Sequence, residues 1–148
     1  MRENMGEQEI FNGLIATYRE LNTKVRPLPE ERLQLGRSGD SVRDVILTMR
    51  DHEMEFSQGL KDRLSGVAGS ARTGGVEIPS PDDTTAEIIS QFGTARESTL
   101  AMLRSMGPES WDDASAGGTI RAEAEKLISS DAKHLEKIVR LLGSPSPN

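Results

Sequence analysis

Residues 119–143 read TIRAEAEKLISSDAKHLEKIVRLLG. Ile120, Ala124, Leu127, Ile128, Leu135, Ile138, Leu141 and Leu142 recur at steps of three and four, the period of one face of an α-helix. The spacing predicts a helix over 119–142, with Gly143 where a left-handed C-terminal cap belongs. The stripe is interrupted at its middle. Stepping on from Leu127 or Ile128 lands on Asp131 and then on His134.

Moving toward the N-terminus, three further stripes repeat the pattern. Thr84 and Glu87 have the spacing of a capping box, in which each side chain satisfies an amide of the first helical turn. From there Ile88, Phe92, Ala95, Thr99, Leu103 and Met106 mark a third helix, stopped at Gly107-Pro108. Its turn-rich connection to Gly117-Gly118 carries Trp111, the only tryptophan. Ser41 and Asp44 have the same capping spacing after a Gly39-Asp40 turn, and Val42, Val45, Ile46, Met49, Phe56 and Leu60 mark a second helix. The first helix spans about residues 7–25 on Ile10, Phe11, Leu14, Ile15, Tyr18, Leu21 and Val25, and Pro27 and Pro29 end it. Residues 65–83 are rich in glycine, serine and proline and read as a long mobile loop, and residues 144–148 as a frayed tail.

Four helices of roughly 17 to 24 residues, about 25–35 Å at 1.5 Å per residue, match the layers of one four-helix bundle. The 148 residues suit a single domain, and aromatics at 3% fit helix seams filled by Leu, Ile, Val, Met and Ala better than a β-sandwich. The fold class expected is all-α. Met49, Met54, Met102 and Met106 read as core filler.

Charge and composition narrow the function. Lys+Arg 18 against Asp+Glu 24 gives a net charge of −6, which opposes binding to a nucleic-acid backbone or an anionic membrane. The sequence has no apolar run of the roughly 18 residues that span a bilayer, and MRENMGEQEI lacks the apolar core of a signal peptide. With no cysteine, disulfides and thiolate sites are excluded. A cytoplasmic protein is the expectation. No phosphate-binding glycine loop, nucleophile elbow or H-E-x-x-H is present.

The interruptions of the stripes are the candidate site. On the second helix, stepping from Met49 lands on His52 and Glu53; on the fourth, on Asp131 and His134. His52 and His134 are the only histidines, and both breaks lie near mid-helix, at similar height. Asp131 and His134 share one helical face at i, i+3 spacing, a carboxylate-x-x-His pattern that metal sites within bundles use. Imidazole and carboxylate suit a divalent ion. The plainer alternative is a histidine hydrogen-bonded to a neighbouring carboxylate. Glu53 and Glu55 read as exposed helix charges.

Residues 40–48, DSVRDVILT, resemble the opening of the second helix of the DinB-like superfamily. Residues 92–100, FGTARESTL, followed by Trp111, resemble its third helix, and residues 127–143, LISSDAKHLEKIVRLLG, its fourth. The resemblance spans nearly the whole chain, through the order and spacing of these segments. It implies a four-helix bundle, a homodimer, and a zinc or nickel ion held by one residue of the second helix and two of the fourth, as in thiol-dependent transferases. Position by position, that ligand set falls on Thr48, Ser130 and His134. Thr48 and Ser130 carry hydroxyls that do not deprotonate readily, so the metal site the resemblance implies is degenerate here. The expected function is therefore a non-catalytic or small-ligand-binding DinB-like protein without a cofactor, its ligand held in the bundle cavity. The alternative is a divalent-metal-dependent thiol S-transferase or hydrolase, using a shifted site of His52, Asp131 and His134.

Overall fold

The computed structural model describes residues 6–36, 40–65, 83–113 and 118–143. Apart from Ser65 and Asp83, the expected 65–83 loop lies outside the described residues, as does the 144–148 tail. Every regular element among the described residues is helical. Four are long: α1 (Glu7–Glu20), α3 (Val42–Ser65), α4 (Thr85–Ser105) and α6 (Ile120–Gly143). Two are single turns, α2 (Glu30–Leu33) and α5 (Pro108–Trp111).

Both expected capping boxes form. Ser41 Oγ accepts from the Asp44 amide at 3.0 Å, and Asp44 Oδ2 accepts from the Ser41 amide at 3.2 Å. Thr84 and Glu87 make the same exchange at the start of α4, at 3.2 and 3.0 Å. These bonds satisfy amides that have no partner inside the helix.

Three details depart from the sequence reading. The first helix does not end uniformly: residues Leu21–Val25 form a wider π turn, closed by the Arg26 amide donating to the Leu21 carbonyl five residues back at 2.9 Å. Pro108 opens α5, where its missing N–H costs nothing, and this turn carries Trp111 into the core edge-on to Phe11, with 5.9 Å between ring centroids. Gly143 is not a left-handed cap. It is the last residue of α6, and only Gly36 has a positive φ among the described residues.

Each long helix packs against two others, α1 against α4 and α6, and α3 against α4 and α6. Side-chain pairs fix the directions. Arg43 reaches Asp83 and Arg96 reaches Glu53, so α3 and α4 run parallel. Glu7 pairs with Arg121 and Thr17 with Asp131, so α1 and α6 run parallel. His52 lies beside His134 while Arg63 reaches Gly118, so α3 and α6 are antiparallel. Parallel neighbours need a connection that returns the length of a helix, which is why the chain needs many residues between α3 and α4.

The apolar core is divided. One half gathers Leu21, Val25, Val45, Met49, Ile88 and Phe92; the other gathers Ile10, Leu14, Leu60, Leu103, Trp111 and Leu127. Between them in register, at Thr17, Glu53, Arg96 and Asp131, the buried residues are polar.

Candidate functional site

This polar layer draws on all four long helices. Arg96, 1% exposed, is its centre. Its Nη1 donates to the Leu14 carbonyl at 2.8 Å and to Asp131 Oδ2 at 3.0 Å. Its Nη2 donates to Glu53 Oε1 at 2.7 Å and to Asp131 Oδ1 at 3.2 Å. Thr17 Oγ1 donates to Asp131 Oδ2 at 2.8 Å. The guanidinium also lies over the Phe92 ring, 4.8 Å from its centroid. Burial acts to lower the Arg96 pKa, but the charges and hydrogen bonds of Glu53 and Asp131 outweigh it and raise the value above the ordinary one. Arg96 therefore stays charged in the core.

Two atoms in this layer, Glu53 Oε2 and Arg96 Nε, are buried without a hydrogen-bond partner. An ion cluster of this kind adds little net stability, because desolvation offsets much of the Coulomb attraction.

The sequence reading placed Glu53 on the surface; it is 0% exposed and belongs to this layer. The reading also placed His52 in a buried stripe, but His52 is exposed. The two are neighbours in sequence, and the 100° rotation per residue turns one toward Arg96 and the other outward. Asp131 lies in the buried stripe as expected. Arg96 and Thr17 were missed. The signal was available, since Arg96 follows Phe92 by four and Thr17 lies between Leu14 and Leu21, at three and four.

Beside the layer, His52 of α3 and His134 of α6 lie with ring centroids 6.0 Å apart. His134 is half-buried, and burial, followed by His52 and to a lesser extent Lys137, holds its pKa below the ordinary value against the opposing pull of Asp131. Of the three residues of the shifted site, the fold brings the two imidazoles together. Asp131 is turned inward, with both its oxygens accepting from Arg96 and one also from Thr17. Thr48 is exposed and its hydroxyl donates to the Asp44 carbonyl at 3.2 Å, while Ser130 is half-buried. Among the described residues, no three His, Asp or Glu side chains group in a way that could hold a metal ion. The residues present thus do not fit a three-ligand divalent centre.

Between α3 and α6, from His52 toward Arg63, runs an open cleft of about 510 Å³. Phe56, Leu60, Ile120 and Leu127 give it apolar walls. Glu55, Glu123 and Lys126 add charge to its lining. Its volume falls within the range of small-molecule pockets, roughly 300–1,000 Å³. Among the described residues, no helix is long and apolar enough to cross a membrane.

No protein-family model, no curated protein and no solved structure matches the chain.

Proposed function

We propose that this protein is a DinB-like four-helix bundle that has lost the metal site of its fold and binds a small molecule, without catalysis, in the cleft between α3 and α6. The observation that carries the reading is that cleft, with apolar walls and with His52, the neighbour of His134, in its lining. Asp131 supports the non-catalytic part, since its carboxylate is engaged by Arg96 and Thr17. A carboxylate so occupied is a poor metal ligand and a poor general base. The up-down-down-up run of the four long helices supports the bundle.

The metal-dependent transferase or hydrolase is the second reading, favoured by the juxtaposed imidazoles alone. A neutral apolar fluorophore such as N-phenyl-1-naphthylamine separates the two. A ligand-binding bundle gives saturable fluorescence enhancement that is indifferent to chelator, to zinc and to nickel. Enhancement that appears only with added metal, or stoichiometric zinc or nickel in the purified protein by elemental analysis, overturns the non-catalytic reading.

A further inference from the structure

Gly59 sits well inside α3, where glycine is less favourable than alanine by roughly 0.5–1 kcal/mol. A Cβ built there meets no atom within 4 Å, so nothing in the described protein requires its absence. Gly93 is the opposite case: a Cβ there would run into the Tyr18 ring, so the ring keeps its place against α4 only over glycine. Gly59 lines the α3–α6 cleft. Its missing side chain leaves the cleft open beside Phe56 and Leu60, and no described residue fills that space.

The charges around the cleft are not equally free. Arg63 Nη2 donates to the carbonyls of Asp113 and Gly118, at 3.1 and 2.7 Å. Lys126 pairs with Glu123 at 3.2 Å. His52 faces His134. Glu55 is exposed and has no hydrogen-bond or ion-pair partner among the described residues. The chain as a whole is acidic, with a net charge of −6. Such a field attracts cations and repels anions.

We infer that the cleft takes a small hydrophobic organic cation, an alkyl- or arylamine, with its apolar body over Gly59, Phe56 and Leu60 and its ammonium at Glu55. This rests on the proposed ligand-binding cleft and names the ligand's chemistry. Phenylbutylamine and phenylbutyrate share one apolar body and differ in the sign of their charge. Calorimetric titration of each into the intact protein, with amide-shift mapping by NMR, tests the inference.

The amine binds more tightly than the carboxylate by roughly two- to fivefold, the size of one solvent-screened charge contact. Glu55→Gln removes that preference. Gly59→Leu abolishes binding of both while leaving the melting temperature equal or higher, which shows that the loss comes from filling and not from unfolding. Equal binding of the two probes, preference for the carboxylate, or an amine preference that survives Glu55→Gln overturns the organic-cation inference and leaves the cleft standing. Saturable binding of the neutral fluorophore with neither charged probe binding also overturns it. If no probe binds, or if shifts map away from Phe56, Leu60 and Ile120, the cleft itself falls as the site.

Discussion

The α1–α4 and α3–α6 seams are opposite sides of the molecule, and they are built on opposite plans. Both are antiparallel, and each has a glycine within one of its helices. At α1–α4 the glycine is filled from across the seam: Tyr18 lies against Gly93, and Arg26 bonds the Ala86 carbonyl at 3.2 Å and Ser90 Oγ at 3.1 Å. At α3–α6 the glycine is left empty, and the cleft opens over it. The same residue type thus closes one seam and opens the other, and only the partner helix tells which. The seams meet at the polar layer, where Arg96 holds the Leu14 carbonyl of one and Glu53 and Asp131 of the other.

Removing that shared layer has the largest effect. Arg96→Met strands Glu53 and Asp131 in the core without a cation and costs about 3–5 kcal/mol, the usual penalty for breaking a buried ion pair. In a domain of this size that lowers Tm by roughly 6–20 °C. Replacing all three with apolar residues (Arg96→Met, Glu53→Leu, Asp131→Leu) recovers most of the loss, because no charge is then left buried alone. A loss below about 1 kcal/mol in Arg96→Met would show that water reaches the layer and that it does not tie the seams together.

The closed seam comes next. Gly93→Ala pushes a methyl into the Tyr18 ring and costs roughly 1–3 kcal/mol by overpacking. Tyr18→Ala in the same chain relieves the clash, so the pair is strongly non-additive in a double-mutant cycle. Additive effects would mean that α1 and α4 separate without resistance, erasing the contrast between the seams. At the open seam the sign reverses. Gly59→Ala stabilises by roughly 0.4–1 kcal/mol through reduced backbone entropy, since its methyl meets nothing. Chemical denaturation of the two alanine variants side by side checks both signs, and a destabilised Gly59→Ala would place an unseen neighbour over that position.

The four long helices and both capping boxes could be read in the sequence, because stripes at steps of three and four and Ser/Thr-x-x-Asp/Glu spacings are local properties. The π turn at Leu21–Val25 and the single turns α2 and α5 could not, since no period develops over four or five residues. The polar layer was half legible. Asp131 stood out because a carboxylate breaks an apolar run. Arg96 did not, because Ala95 beside it satisfies the same period, and Thr17 was hidden in the same way by Tyr18. A buried stripe is about 100° wide, so adjacent residues fit it equally until a neighbouring helix chooses between them. Glu53 and His52 exchanged roles for that reason, since the choice belongs to Arg96, 43 residues away.

The smallest effect is also the one that separates the seams most cleanly, because the only two histidines both lie at α3–α6. Burial and the charge of His52 hold the His134 pKa below its ordinary 6.5, with Asp131 pulling it up and Lys137 pushing it down. The unfolded chain therefore takes up a proton at His134 before the folded one does, and stability falls as pH drops below about 6.5. The loss levels off once pH passes below the folded-state value, and above 6.5 the residue contributes no slope. His134→Gln removes this part of the pH dependence between pH 7 and 5, measured by urea denaturation, and leaves that of the remaining carboxylates. Hydrogen exchange localises it: on acidification, after correction for the intrinsic rate, protection falls around residues 52–56 and 127–134 but not around 17–26 and 86–93. Equal loss in both segments would mean that acid acts through the shared carboxylate layer, and that the open seam has no acid sensitivity of its own.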